Sequence, residues 1–448
     1  MDCRLQMRTV VLDSQTKTAR SQLAAHFPLL QRSLRFGPPL SPWLAKFYRG
    51  LAVACCGLLG VMILTATVSG EESAAVQSAD SGYAQDLFNG RDLTGWQVTG
   101  CTAVVEDGAI LLKEGNGFVR SDLQYEDFVL ELDYKPLAKE FYDSGIYIRA
   151  PFPAKNPKRA WPDQYQINLK TGDEGNLLGI DGATTKGLIK PGEWNHLKIM
   201  VKGESAALEV NGQPAWKATG LKIPRGYIGL QAEVPNGGQF LFKNIKLTEL
   251  GFESIFNGQD LSQWVGDTTG YTVRDGKIVC DPGKGGNLYT KDEYQDFVLR
   301  FDFWLSPGAN NGLGIRAPLS GDSAYTGMEL QILDDSHPQY QGIKDWQSHG
   351  SVYGVAAAKR GALRPAGEWN TQEVRVQGRD ITVTLNGTVI NQVNLDEVAP
   401  NGKTIDGNAH PGLQNKQGHI GFLGHGAHVE FRNLRVKPLT NPAKSIQP

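Results

Sequence analysis

The sequence repeats itself from about residue 86 onward, with a period of roughly 170 residues. The matched segments occur in the same order in both copies: Leu87–Trp96 with Ile255–Trp264, Tyr125–Tyr134 with Tyr294–Phe303, Ser144–Pro151 with Asn311–Pro318, Pro191–Val201 with Ala366–Val376, and Tyr227–Leu250 with His419–Leu439. A repeat of this length is too long for a solenoid unit and fits a whole domain. The sequence therefore predicts two tandem domains, residues 86–250 and 251–439.

Both repeats have the pattern of short β-strands. Runs such as DFVLELDY and HLKIMV alternate apolar and polar residues, and turn residues separate them. Asn211-Gly212 and Asn386-Gly387 lie between such runs, and Asn-Gly is a strong hairpin signal. No sustained helical period occurs outside the N-terminal region. We therefore predict an all-β fold made of two tandem jelly-roll β-sandwiches.

The N-terminal region has the composition of a targeting segment. Residues 1–47 are basic and irregular, and an apolar run at Leu51–Val68 follows Lys46 and Arg49. The run is short for a membrane span, which favours a cleaved signal peptide over a retained anchor, although an anchor would attach the protein to a membrane. We predict a basic leader and signal peptide at 1–70, a linker at 71–85, a tail at 440–448, and export to the periplasm or the exterior.

Charge and motifs exclude several functions. The formal net charge is -2 and the pI is near 6.5, so no basic field for nucleic acid exists, and nucleic acid is not an expected partner. The sequence has no phosphate-binding loop, nucleophile elbow or dinucleotide fingerprint. NTP hydrolysis, Ser-based acyl transfer and NAD chemistry therefore have no support.

The second repeat contains residues that could carry out acid-base chemistry. Glu329 lies in a predicted strand, GMELQILDD, which ends at Asp334 and Asp335. Arg316 lies in another strand, and His425 lies in a glycine-flanked turn. Together, a carboxylate, an imidazole and a guanidinium would supply a general base, a general acid and an anion stabiliser.

Structural roles are the alternative for most of these residues. A strand arginine often pairs with a structural carboxylate, an Asp-Asp pair after a strand is commonly a turn or cap, and His425 could be an ordinary turn residue. Glu329 is harder to explain in this way, because an unpaired buried acid is costly.

The histidines are concentrated in the second repeat, which favours activity or metal binding there. His425 and His428, with Asp334 or His337, would allow a divalent ion, but no metal-binding spacing supports one, and we predict no cofactor. Trp161 and Trp346 lie in long polar loops, where an exposed aromatic ring is suited to stacking on a sugar.

The repeated motifs resemble those of a known family. FNG.DL..W, YxDFxLxxDF, NGxGIRAP, GMELQILDD, PAGEWN and GHIGF...HG...FRN are similar to the motifs of the domain of unknown function 1080 family, described as the 3-keto-disaccharide hydrolase domain. The resemblance covers both repeats and implies a concanavalin-like jelly roll. It also implies an exported protein that acts on an oligosaccharide or glycoside whose 3-hydroxyl a sugar oxidoreductase has already converted to a ketone.

The implied chemistry assigns roles to the candidate residues. A ketone at C3 acidifies the C2 proton, so a base can remove it and the aglycone can leave C1 by elimination, followed by hydration; direct hydrolysis is the other route. The resemblance implies Glu329 and His425 as base and acid, in either order, and Arg316 as the enolate stabiliser. Asp334 and Asp335 would bind or orient the substrate.

The first repeat departs from this pattern. At the matching positions it has Gln164 for Glu329, Leu169 and Lys170 for the two aspartates, and Ala232 and Glu233 for Gly424 and His425. It retains Arg149 in place of Arg316, and we predict that Arg149 and Trp161 contribute to substrate binding. This repeat is expected to be a binding or scaffolding copy, unless Glu233 or Asp143 serves a site of its own.

Two further functions fit the sequence. One is a non-catalytic carbohydrate-binding protein, which needs aromatic platforms and hydrogen-bonding edges but no titratable pair. The other is a structural surface protein, which would neither bind nor cleave sugar.

Overall fold

The computed structural model describes residues 81–155, 159–398 and 403–439. The predicted leader, residues 71–80 of the predicted linker and the tail lie outside these residues. The rest of the predicted linker is described, and most of it belongs to the strand Gly82–Asp86, so the fold begins slightly earlier than predicted. Across the three described ranges, no helix is both long and apolar enough to cross a membrane.

The first repeat consists of antiparallel strands. They are β1 (Gly82–Asp86), β2 (Trp96–Glu106), β3 (Ala109–Tyr125), β4 (Phe128–Pro136), β5 (Gly145–Ala150), β6 (Gln166–Asn168), β7 (Asn195–Lys202), β8 (Ser205–Val210), β9 (Gln213–Thr219), β10 (Gly226–Val234) and β11 (Phe240–Leu250). Their order is β6-β5-β10-β3-β11-β4-β7-β8-β9, with β1 beside β11 and β2 beside β3.

The second repeat has the same plan. Its strands are β12 (Glu253–Ser254), β13 (Trp264–Gly266), β14 (Tyr271–Arg274), β15 (Lys277–Cys280), β16 (Gly286–Tyr294), β17 (Phe297–Leu305), β18 (Asn310–Ala317), β19 (Met328–Leu333), β20 (Trp369–Gln377), β21 (Asp380–Leu385), β22 (Thr388–Asn394), β23 (Gly418–Gly424) and β24 (Val429–Pro438). One helical turn, α1 (Ser323–Thr326), precedes β19, and 3-10 turns lie at Thr268–Gly270, Pro338–Tyr340, Asp345–Gln347 and Pro411–Gln414.

The second repeat has two separate sheets, ordered β14-β15-β24-β17-β20-β21-β22 and β13-β16-β23-β18-β19. In the first repeat, β3 pairs with β11 through its first half and with β10 through its second half, so one long strand joins both layers. In the second repeat the segment between Cys280 and Gly286 interrupts this strand; it contains Pro282, which cannot donate to a strand ladder. The predicted all-β jelly-roll fold is confirmed.

Each repeat has its own hydrophobic core. One core cluster runs from Phe88 to Leu247 and the other from Ile255 to Val436. The predicted hairpins form as expected, because Asn211 and Asn386 adopt φ values of 52° and 48°, the left-handed conformation that Asn-Gly turns require.

Buried ion pairs join the two repeats. Arg300 on β17 contacts Glu249 on β11 and lies 2.7 Å from Glu373 on β20. Arg435 on β24 donates to Glu249 at 2.7 Å, and Arg225 of the first repeat lies 2.6 Å from Glu373. Because the three arginines and two glutamates compensate one another, the interface can be polar and still largely closed to solvent.

Candidate active site

The central strand of the candidate site is β19. Its Met328, Leu330 and Ile332 belong to the hydrophobic core. Glu329, Gln331 and Leu333 therefore point to the other face of the sheet, because side chains alternate along a strand. β19 pairs with β18, and Glu329 lies opposite Gly314.

An open cleft of about 290 Å³ lies over this outer face of the sheet. Its floor is β18 and β19, and its walls come from α1, from the long loop after β19 and from the turn between β23 and β24. The lining residues are Asn310, Asp322, Ala324, Tyr325, Glu329, Gln331, Leu333, Tyr340, Ile343, Gln347, Tyr353 and His425. The structure therefore brings Glu329 and His425 into the same cleft, although they lie almost a hundred residues apart in sequence.

Glu329 is almost fully buried at the floor of the cleft, with 7% of its surface exposed. Burial is the main cause that raises its pKa, to about 7, and the negative charge of Asp322 raises it further. A carboxyl group with this pKa exchanges protons near neutral pH, which is the range where general acids and bases are most effective.

His425 lies in the turn after β23, at the mouth of the cleft. Partial desolvation lowers its pKa below the ordinary value, while Asp322 opposes this shift. The imidazole is therefore mainly neutral at pH 7 and can accept a proton. Asp322 itself caps α1, because its side chain accepts a hydrogen bond from the backbone N–H of Ala324.

Arg316 does not line the cleft, contrary to the sequence-based expectation. Its guanidinium lies 2.9 Å from Asp296 and donates to the backbone oxygens of Gln295 and Asn415. The cause is local, because Arg316 has a φ of 46° and lies within an irregularity in the pairing of β18 with β23. The side chain is turned away from Glu329 and closes the end of the sandwich.

Arg149 occupies the same position in the first repeat. It has a φ of 47°, lies 2.8 Å from Asp127 and donates to the backbone oxygens of Glu126 and Gly203. These contacts give Arg149 a structural role at the strand end. It also lines an open cavity of about 600 Å³, and its role in substrate binding stays a prediction. Both arginines lie at equivalent irregular strand ends and make the same kind of contacts.

Asp334 and Asp335 hold loops in place, and neither lines the cleft. Asp334 is buried and accepts hydrogen bonds from the Gly308 backbone at 2.8 Å and from Ser336 at 2.7 Å. Asp335 accepts from the backbone N–H of His349. These aspartates order the loops around the cleft, and the structure gives them no contact with its interior.

The two candidate tryptophans differ in their surroundings. Trp346 is partly buried and its ring packs edge-on against Tyr353, a cleft residue, at 5.0 Å. Trp161 packs against a small cluster that contains Phe118 and Tyr147 in the first repeat. Trp346 can thus support the wall of the cleft. Trp161 does not line this cleft, and its role in sugar binding stays a prediction.

The strand register corrects the comparison between the repeats. β5 pairs Tyr147 with Gln166, as β18 pairs Gly314 with Glu329, so Gln166 and not Gln164 is the counterpart of Glu329. The same register places the counterparts of Asp334 and Asp335 two residues after Leu169 and Lys170, which the sequence comparison had matched to them. The counterpart of His425 is Glu233, as expected from the sequence.

The first repeat fills the corresponding face with its own side chains. Tyr147 donates to Gln166 at 2.9 Å, and Gln166 donates to Gln231 at 2.6 Å. Gln231 in turn donates to Glu233 at 3.0 Å, and the pKa of Glu233 is raised by burial and by Asp143. Tyr147 stands where the second repeat has Gly314, and Gln166 stands where it has Glu329, so this position carries an amide instead of a carboxyl group.

Several cleft residues were not predicted from the sequence. Asp322 and Tyr325 come from α1, and Tyr340, Ile343 and Tyr353 come from the long loop after β19. The one available signal was that this loop has no counterpart of the same length in the first repeat. Among the described residues, no group of three or more His, Cys, Asp or Glu side chains could hold a metal ion, so the residues that would have allowed a divalent ion form no such group.

Comparison with known families agrees with this architecture. The model of the 3-keto-alpha-glucoside-1,2-lyase-like domain matches residues 83–248 and again 251–437. The chain therefore belongs to this family and contains two tandem copies of its domain. This membership supports a carbohydrate-active role.

Individual relatives are more distant. A protein of Bacteroides thetaiotaomicron named 3-keto-disaccharide hydrolase is 26% identical over 238 residues, which cover 42% of this chain and 79% of the relative. A provisionally named glycosyl hydrolase of Parabacteroides distasonis, of known structure, is 25% identical, with a TM-score of 0.39 over 42% of this chain and 99% of its own. A carbohydrate-binding module of Bacillus subtilis is 20% identical, with a TM-score of 0.28 over 34% of this chain and 94% of its own.

Proposed function

We propose that the second repeat cleaves glycosides whose sugar carries a ketone at C3. The observation that carries this proposal is the placement of Glu329, with a pKa of about 7, in one cleft with the mainly neutral His425. A protonated carboxyl group and a neutral imidazole are the acid and base that elimination next to a ketone requires. The family description and the name of the Bacteroides relative support the same substrate class.

The pKa directions favour one assignment of roles, which the sequence alone left open. His425 removes the C2 proton, and the electron pair of the C2–H bond forms the C1–C2 double bond as the C1–O bond breaks. Glu329 donates its proton to the departing aglycone oxygen. Water then adds to the unsaturated keto sugar, so the net reaction is hydrolysis, and the two side chains exchange roles as acid and base in the second half.

The C3 oxygen gains negative charge during proton removal and needs donors. Arg316 is held by Asp296, so uncharged cleft residues take this role in our proposal. The hydroxyl groups of Tyr325 and Tyr353 and the amide of Asn310 line the cleft and can donate hydrogen bonds.

The test is release of a chromogenic aglycone from a 3-keto glucoside, with the unoxidised glucoside as control. We expect release from the keto form alone, and loss of release in Glu329→Gln and His425→Ala with ligand binding retained. Wild-type rates in both variants would overturn the assignment. Sugar binding with no release from either glucoside would instead indicate the carbohydrate-binding function.

We also propose that the protein is exported and acts after a sugar oxidoreductase that supplies the ketone. The apolar run at 51–68 with its basic flank supports export. Fractionation of cells that express the full chain, with detection of the mature N-terminus, tests this. A protein that remains in the cytoplasm with residues 1–70 intact would contradict it, and recovery with the membrane would indicate an anchor.

A further inference from the structure

Among the described residues, the lining of the cleft contains acidic side chains but no lysine or arginine. Its lining contains the carboxyl groups of Asp322 and Glu329 and the imidazole of His425, and the remaining side chains are uncharged. Among the described residues that line it, there is neither a lysine nor an arginine. Sites that recognise a carboxylate or phosphate normally provide such a cation, most often an arginine.

Neighbouring arginines are engaged elsewhere. The guanidinium of Arg316 is bound by Asp296 and backbone oxygens. Arg360, on the loop after β19, lies 4.0 Å from Asp335 and 3.9 Å from Asp345. An anion that entered the cleft would therefore meet the carboxylate of Asp322 without a free guanidinium on the lining to compensate it.

The floor of the cleft also changes from polar to apolar along strand β19. Glu329, Gln331 and Leu333 face it in turn, and a strand rises about 3.3 Å per residue, so Leu333 lies roughly 13 Å from Glu329. Ile343 and Leu333 give the lining an apolar part, whereas Asp322 and His425 belong with Glu329. A sugar that reacts at Glu329 lies in the part of the cleft that also contains Asp322, so a charge on that sugar is close to the Asp322 carboxylate.

We propose that this site selects glycosides whose reacting 3-keto sugar is uncharged and rejects those whose reacting sugar is a uronic acid. The inference rests on the proposed function, since it concerns the same cleft. Its physical basis is repulsion between the substrate carboxylate and Asp322, strengthened by the low dielectric of a partly closed cleft.

The first experiment compares 3-keto glucoside and 3-keto glucuronide with the same chromogenic aglycone. We expect kcat/KM to be higher for the glucoside by roughly tenfold or more, and the gap to narrow as salt is added, because salt screens the repulsion. Equal values for the two substrates at low salt would overturn the proposal.

Two variants test the residue responsible. Asp322→Asn removes the charge but can still cap α1, since Asn caps as well as Asp. It should narrow the ratio of the two kcat/KM values, even if both values fall. Asp260→Asn is the matched control: Asp260 caps a turn by accepting from the Ser262 backbone and does not line the cleft. In Asp260→Asn the ratio of kcat/KM for the glucoside to kcat/KM for the glucuronide should stay at the wild-type value. An equal change of this ratio in Asp322→Asn and Asp260→Asn would contradict the assignment to Asp322.

Binding separates this inference from the proposed function. The oxidised glucoside and glucuronide are titrated by calorimetry into Glu329→Gln, which should not turn them over. Binding of the glucoside and much weaker binding of the glucuronide supports the selection even if the wild-type protein releases no aglycone. Equal binding of both, or binding of neither, overturns it.

Discussion

Gly312 lies directly beneath the carboxyl group of Glu329. A Cβ atom built on Gly312 would be 2.0 Å from Oε1 of Glu329, far closer than any non-bonded contact allows. The first repeat has the same relationship, since a Cβ on Gly145 would be 2.2 Å from Nε2 of Gln166. In both repeats a glycine on one strand makes room for a polar side chain on the next.

The first prediction uses this pair of glycines. Gly312→Ala should displace the Glu329 carboxyl group and lower kcat/KM for the keto substrate by at least about tenfold, because small misplacements of a catalytic group are costly. Gly145→Ala imposes the same steric change on Gln166 in the first repeat and should leave kcat/KM nearly unchanged. Both rates are measured on protein shown to be folded by circular dichroism. Equal loss in both variants would indicate that the first repeat takes part in turnover.

The second prediction concerns stability. A carboxyl group with a native pKa of about 7 and an ordinary value near 4.5 in the unfolded chain binds its proton more tightly when folded. The free energy of unfolding should therefore fall as the pH rises from about 4.5 to about 7, by up to about 3 kcal/mol from this group. Glu329→Gln should match the wild type at pH 4 and be more stable at pH 8, as measured by urea unfolding.

Gln166→Glu provides the reciprocal variant. Gln166 is buried at the equivalent position and already has hydrogen-bond partners. Adding a carboxyl group there should leave stability nearly unchanged at low pH and reduce it at pH 8, because burial disfavours the charged form. Stability curves of the same shape for all three proteins would show that Glu329 titrates as an ordinary exposed acid.

The third prediction concerns the pH dependence of turnover. If Glu329 is the acid and His425 the base, kcat/KM should fall above about pH 7 as Glu329 loses its proton, and also below the lowered pKa of His425. Asp322 raises both pKa values. Asp322→Asn should therefore move both limbs of the profile to lower pH. Limbs that stay in place would mean that other groups titrate, and opposite shifts would contradict the electrostatic role of Asp322.

The repeated strands could be predicted because their signals are local. The alternation in β19 places Glu329 opposite the core residues, and the Asn-Gly turns fix the hairpins. The register of β6 could not be predicted. A slip of two residues keeps every side chain on the same face, so Gln164 and Gln166 satisfy the alternating pattern equally well. The three-residue length of β6 adds no further apolar signal.

Side-chain direction at irregular positions was also beyond the sequence. Arg316 appeared in a regular strand pattern, but its positive φ turns it toward Asp296. Asp322, Tyr325 and Tyr353 enter the cleft from loops, whose paths depend on many weak contacts and not on a period. The sequence thus identified the acid and the imidazole of the site and missed most of its walls.

The fourth prediction concerns the junction between the repeats. Arg300 contacts Glu249 and Glu373 and donates to the backbone oxygen of Gln124, and all three charged side chains are nearly inaccessible to solvent. Arg300→Met would leave both acids with fewer partners in a buried setting. It should lower the free energy of unfolding by roughly 3 kcal/mol or more, because breaking a buried pair strands the remaining charge.

Lys198→Met is the control for this variant, because Lys198 forms a half-exposed ion pair with Glu131 at 3.7 Å. Exposed pairs of this kind contribute less than about 1 kcal/mol. Both free energies come from urea unfolding at pH 7. Replacing all five members of the group, Arg300, Glu249, Glu373, Arg225 and Arg435, by apolar residues should restore much of the loss, since none of these charges then lacks its partner. If the single and fivefold variants are equally unstable, the loss comes from packing of the Arg300 side chain and not from the stranded acids.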